Sequence, residues 1–263
     1  MNINVITVKL LAILSLTGFM FSSLALHAET KDKSVKSVVM IDAKDKTDGK
    51  VKETFGSLSK TKFIYNPPMR GAPAVRIGGG TRGLGLETIE LVVLAPDHTG
   101  LTITEQPRLY WYVSKPVISK LEVTLINDES NEPVYEDLVA NTTSAGIQSI
   151  DLAKAGIKLK QGLEYRWYVS VVADKKQRSN DIVASGTIKY VNPESSLTRD
   201  LLSVNMVTRA NIFTQKGIWY DAIDTLMIQN EKSANKGFTE QHIALLEQVG
   251  LQSVADYMRK HNQ

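Results

Sequence analysis

The stretch 165–172 restricts the fold more than any other part of the chain. Tyr165, Trp167, Val169 and Val171 alternate with Arg166, Tyr168, Ser170 and Val172. A period of two built from aromatic and β-branched residues predicts a strand. Its first face is wholly apolar and belongs on a core, while its second is mixed and only partly covered. Just upstream, Leu159, Gly162 and Tyr165 have the spacing of a tyrosine corner. In that corner a Tyr hydroxyl bonds back to the backbone of a Greek-key crossover. An ordinary loop entering a buried strand has the same spacing.

Weaker period-two runs surround this strand. Ile89, Leu91 and Val93 form one face of the first, and Leu109, Trp111 and Val113 one face of the next, with Tyr110 and Tyr112 opposite. Leu121, Val123 and Leu125 follow, then the run 133–139, Ile150 with Leu152, and the alternation from Ile182 to Tyr190. Pro96-Asp97, Asn127-Asp128, Ala145-Gly146 and Ser179-Asn180-Asp181 supply turns between them. Seven or so short strands with a tyrosine corner predict an immunoglobulin- or fibronectin-like β-sandwich over residues 67–192. Trp111 and Trp167 lie on apolar faces and are expected in its core. Tyr110, Tyr112 and Tyr168 fall on opposite faces and await either a cover or a ligand.

The strand pattern stops at Asn192-Pro193, a fair helix start. Residues 193–260 read as a helical tail. Ala210, Phe213, Gly217, Trp219, Ala222, Ile223 and Leu226 have the spacing of a helix–turn–helix like one tetratricopeptide unit. One unit cannot bury a core alone, so it packs on the sandwich or on another protein. A further helix is expected over 239–249, ending at Gly250, and a last short one after Ser253.

The other end of the chain is an address. Lys9 precedes an apolar run over 10–21, and small residues offer cleavage after Ala25 or Ala28. This predicts a signal peptide over 1–28 and an exported protein, periplasmic or extracellular; a retained anchor is the alternative. The chain has no cysteine, which removes disulfides, a lipid-modified Cys and thiolate chemistry together. Residues 29–66 are rich in Lys, Asp, Ser and Thr and read as a flexible charged linker. Within it, the run Val38-Val39-Met40-Ile41 has the character of an edge strand. Charge is uneven: residues 29–85 carry twelve Lys/Arg against six Asp/Glu, whereas 86–192 carry eleven against fourteen. A local basic excess attracts an acidic polymer, a membrane surface or an acidic partner. Nucleic acid is not expected, because no aromatic–basic strand pattern accompanies the charge.

Residues 67–85 form a glycine–arginine loop. Gly78, Gly80 and Gly83 match a dinucleotide fingerprint as a string, but the strand before and the helix after are missing. Arg70, Arg76 and Arg82, with the backbone of Gly78, Gly79 and Gly80, have the chemistry of an anion site. The competing reading is a glycine turn whose arginines bond carbonyls and carboxylates of the same domain.

The string from Arg70 through Gly83, with Gly100-Leu101-Thr102, Tyr110-Trp111-Tyr112, Tyr165-Arg166-Trp167, Arg178-Ser179 and the run from Gly217 to Ala222, resembles a family of exported bacterial proteins called domain of unknown function 928. The likeness covers roughly residues 67–255. It implies export and this architecture, and it carries no catalytic residues.

Catalytic chemistry is sparse. His98, His242 and His261 are isolated and follow no metal-ligand spacing, so neither a metal nor a cofactor is expected. No nucleophile elbow is present. Asp174, Arg178 and Asp181 read as a salt-bridged turn. The sequence therefore predicts a non-catalytic binding or scaffolding protein of the cell envelope, engaging another envelope or extracellular protein, with peripheral membrane contact allowed. The alternatives are an anion- or glycan-binding module using the glycine–arginine loop, and a hydrolase built from converging carboxylates.

Overall fold

Tyr165 sits where its strand turns the corner. Its hydroxyl accepts the backbone N–H of Lys160 at 3.0 Å, and Gly162 between them adopts φ 80°, open to glycine. The computed structural model describes residues 63–68, 76–80, 89–117, 119–139, 144–172, 174–232 and 236–261. The expected signal peptide, most of the expected linker, Arg70 and Arg82 lie outside the described residues.

Nine strands are described: β1 (Gly79–Gly80), β2 (Glu90–Val93), β3 (Gly100–Thr102), β4 (Arg108–Val113), β5 (Lys120–Asn127), β6 (Pro133–Val139), β7 (Gly146–Asp151), β8 (Glu164–Val172) and β9 (Ile182–Tyr190). All seven expected runs form strands. The two additional ones, β1 and β3, are two and three residues long, too short to leave a period. The strands make two sheets, ordered β1-β2-β4-β7 and β3-β9-β8-β5-β6. Every pairing is antiparallel except β3 with β9, which is parallel.

The apolar faces meet in one core. Leu91, Val93, Leu109, Trp111 and Val113 from the first sheet join Leu121, Val123, Leu125, Tyr165, Trp167, Val169, Val171 and Ile188 from the second. Each large side chain buried there contributes roughly 1.5–3 kcal/mol. The sheets come close where β9 carries Gly186, since a Cβ at that position would stand 2.6 Å from the Ala95 Cβ. Trp167 is fully buried and Trp111 nearly so, as the alternation requires.

Five helices follow: α1 (Ser195–Asp200), α2 (Met206–Gln215), α3 (Trp219–Lys232), α4 (Lys236–Gln248) and α5 (Gln252–His261). The first begins at Ser195 rather than at Asn192-Pro193, and no side chain caps it. Asn205 caps α2, its side chain accepting the N–H of Thr208 at 2.9 Å. The helices cover the outer side of the first sheet. Tyr110 donates its hydroxyl to Asp224 of α3, and the Tyr112 ring packs 5.1 Å from Tyr257 of α5. Tyr168 does not share that cover, because it lies on the other sheet and stays half-buried.

The folded body also reaches into the segment expected to be linker. Phe63 is buried, and Tyr65 donates its N–H to Gln248 of α4, whose amide donates back to the Phe63 carbonyl at 2.8 Å. Two aromatic residues in a polar stretch leave no period, but they are enough to fill the gap between helices and sheet.

Candidate functional site

The glycine–arginine loop was the sequence candidate, and its described part joins elements of the fold. Ile77 exchanges two backbone hydrogen bonds with Ser185 of β9, at 3.0 and 3.2 Å. Two residues later, Gly79 and Gly80 pair with Leu91 and Glu90 of β2. The segment thus crosses from one sheet to the other, with Gly78 at the crossing in open space. Arg76 points back into the body. Its guanidinium donates to the carbonyls of Ala95 and Val249 at 3.0 Å and of Gly250 at 3.1 Å, with Asp97 at 3.5 Å. A cation suits the C-terminal end of α4, where carbonyls lack helical partners. Burial lowers the Arg76 pKa, and Asp97 opposes that shift. Arg76 therefore matches the alternative reading, an arginine bonded to carbonyls of its own domain.

The motif from Gly217 to Ala222 docks the tail onto the sheets. Gly217 adopts φ 71°, and a Cβ there would stand 2.6 Å from the Asn66 carbonyl oxygen. Trp219 donates its indole N–H to the Leu94 carbonyl at 2.9 Å. Tyr220 packs against β3 and β9: its hydroxyl donates to the Thr187 carbonyl and accepts the Trp167 indole N–H, both at 2.9 Å. A side chain at Gly100 would collide with that ring, at 2.6 Å. Asp221 accepts the Ile103 N–H at 3.1 Å and the Thr104 hydroxyl at 2.6 Å. Ala222 is fully buried.

Beside this dock lies a polar cleft that sequence reasoning missed. Thr104, Gln106, Arg108, Asp151, Asp221 and Asp224 line a hollow of about 250 Å³. A second hollow of about 490 Å³ shares Arg108 and Asp151 and adds Tyr110, Tyr135 and Lys154. Arg108 organises both, bonding Asp151 at 3.1 Å and Asp224 at 3.2 Å. The hydrogen bond with Tyr110 and then that with Asp151 raise the Arg108 pKa against the effect of burial. Burial pushes the Asp151 carboxyl up, but Arg108 and the N–H groups of Lys154 and Ala153 outweigh it and hold the group below its usual range. Asp221 moves the other way: burial raises it, and the bonds from Thr104, Thr102 and Ile103 only partly oppose this. Asp151 and Asp221 line the same cleft and are displaced in opposite directions. Only chain reversal brings Arg108, Asp151 and Asp224 together, so no local spacing marks them.

The expected salt-bridged turn forms. Arg178 bonds Glu122 at 2.6 Å and Asp181 at 2.5 Å. Among the described residues no group of three or more His, Cys, Asp or Glu is arranged to hold a metal ion.

The sequence pattern of the Domain of Unknown Function (DUF928) family matches residues 77–258. The chain belongs to this family. The matched span runs from the sheet crossing at Ile77 into α5, so the sheets and the docked tail are what the family shares. Arg70 and Arg76 precede it, whereas Gly78, Gly79, Gly80 and Arg82 lie within it. No curated protein matches the chain.

Proposed function

We propose that this DUF928 protein is an exported, non-catalytic binding or scaffolding module of the cell envelope that engages another protein. One observation carries the reading: several described polar and aromatic side chains of the motifs that carry the resemblance are bonded within the molecule. Trp219, Tyr220 and Asp221 hold the tail, Trp167 meets Tyr220, and Arg178 is paired with Glu122 and Asp181. What such motifs preserve is a rigid two-part body rather than an exposed reactive group. In this reading the sheets form an immunoglobulin-like sandwich. The antiparallel neighbours β5, β8 and β9, β3 parallel to β9, and the Tyr165 corner support that assignment. Helices α2 and α3 form a single tetratricopeptide-like hairpin, turned at Gly217 and packed on the sandwich.

In-cell crosslinking with mass spectrometry of a C-terminally tagged chain tests this. The expected result is one abundant envelope partner. Its absence at native expression, together with turnover in a hydrolase screen, would overturn the proposal.

A second reading rests on the opposed Asp151 and Asp221 carboxyls: a hydrolase working in the Arg108 cleft. It requires an activity that is lost in both Asp151→Asn and Asp221→Asn. An activity that survives either substitution would count against it.

A further inference from the structure

The larger hollow beside Arg108 lies between the end strands of the two sheets. β7 ends one sheet and β6 the other, and among the described residues neither has a strand on its outer side. The hollow takes Ser149, Ile150 and Asp151 from β7 and Tyr135 from β6. Leu152 donates its N–H to the Pro107 carbonyl at 3.2 Å, on the β4 side. Strand alternation therefore turns the main chain of Ser149 and Asp151 to the unpaired side. There the Asp151 carbonyl accepts the Ala155 N–H at 3.1 Å. The Asp151 N–H and both main-chain groups of Ser149 have no backbone partner among the described residues.

Side chains add a mixed set of donors and acceptors. Asp224 accepts Tyr110 at 2.7 Å and Arg108 at 3.2 Å on the same oxygen, Oδ1, which leaves Oδ2 open. The Arg108 bonds to Tyr110, Asp224 and Asp151 leave part of its guanidinium fork unused. Asp151 is held in place, with Oδ2 on Arg108 and Oδ1 on the N–H groups of Ala153 and Lys154. Among the described residues the Lys154 ammonium and the Ser149 hydroxyl make no bond. The charges balance, because Arg108 and Lys154 stand against Asp151 and Asp224. Asp221, on the wall of the smaller hollow, is engaged by Ile103 and Thr104, and burial disfavours its charge. A balanced set of this kind has little net field to favour an anion or a cation.

We propose that this cleft binds a neutral saccharide, held between the Arg108–Asp151–Asp224 cluster and Tyr135. A sugar presents adjacent hydroxyls, each both donor and acceptor, around a ring whose C–H faces are apolar. The hydroxyls donate to Asp224 Oδ2 and accept from Arg108 and Lys154, and hydrogen bonds to ionised groups are the stronger kind. The apolar ring face belongs on Tyr135, a half-buried side chain with one apolar body and one polar tip. The unpaired N–H of Asp151 adds a donor fixed by the sheet. A hollow of about 490 Å³ is of the size that small ligands occupy. This inference goes beyond the protein-binding role. It shares the Arg108 cleft with the hydrolase reading but needs no turnover, and it stands if that reading fails.

Titration of the isotope-labelled full chain with maltotetraose, cellotetraose and tri-N-acetylchitotriose, followed by amide NMR, tests it. At least one sugar should give saturable shifts at the amides of Ser149, Asp151 and Lys154, with a Kd of about 1 mM or tighter. Lys154→Ala removes one free donor without touching the Arg108 cluster and should weaken binding by about twofold to tenfold. Arg108→Gln should weaken it further, with amides of β8 unchanged to verify the fold. Intact sugar recovered after the titration is the expected result and counts against the hydrolase reading alone. Cleaved sugar would favour that reading and would still place a saccharide here. No saturable shift from any of the three at about 10 mM, ten times the expected limit, would overturn the proposal. So would shifts that map elsewhere or are the same in both variants. Saturation of these amides by sodium phosphate or spermidine, with none by the sugars, would assign the cleft to a charged ligand and equally overturn it.

Discussion

Replacing Tyr220 with Phe removes a single oxygen at the centre of the dock. That oxygen accepts the Trp167 indole N–H and donates to the Thr187 carbonyl, each at 2.9 Å. Trp167 is fully buried and Tyr220 nearly so, so water cannot take the place of the lost partner. A typical hydrogen bond contributes about 0.5–1.5 kcal/mol net, and a stranded buried donor costs about 1–3 kcal/mol. Together these give a loss of roughly 2–4 kcal/mol with no change of shape. For a body of this size that corresponds to a fall of about 6–12 °C in Tm. Differential scanning calorimetry measures it directly. A double-mutant cycle with Trp167→Phe isolates the shared bond, and the pair should fall short of additivity by about 1 kcal/mol. A loss below about 0.5 kcal/mol in the single variant, with additive behaviour in the cycle, would refute the claim that this bond holds the tail on the sheets.

Three further outcomes follow from the same physics. His242 is fully buried between helices, with Asn230 Nδ2 2.8 Å from Nδ1, and burial pushes its pKa from 6.5 down to about 3. Its neutral form is favoured in the fold, so this contribution is intact above pH 6.5 and is lost as pH falls toward 3. The loss should reach about 2 kcal/mol by pH 5, read by urea titration and reduced in His242→Gln. Arg76→Lys replaces the two guanidinium nitrogens that span three carbonyls with a single nitrogen on a differently shaped side chain, and should lower stability by about 1–3 kcal/mol, checked by the same titration. Gly217→Ala meets both a positive φ and the Asn66 carbonyl and should lose at least about 1 kcal/mol, seen as a lower thermal midpoint.

The strands with a long period were legible because a half-buried sheet writes its faces into alternate residues. Tyr165 and its corner could be read as well, since the bond partner lies only five residues away. The pairing of Arg108 with Asp224 could not, because those residues are 116 apart and neither neighbourhood signals the other. Phe63 and Tyr65 read as linker because their surroundings are polar, although the gap they fill is apolar. Arg76 carried two meanings in sequence, an anion ligand or a carbonyl staple. Only the position of the α4 terminus distinguishes them.

The bond between Gln248 and the Phe63 carbonyl joins residues 185 positions apart. A chain that emerges from its N-terminus must therefore hold Phe63 and Tyr65 without their partners until the fourth helix has been delivered. Contacts of such long range form late and slowly. The two sheets can assemble early, but their seal is the last part to arrive. However the chain is delivered, the molecule cannot close on itself before nearly all of it is present.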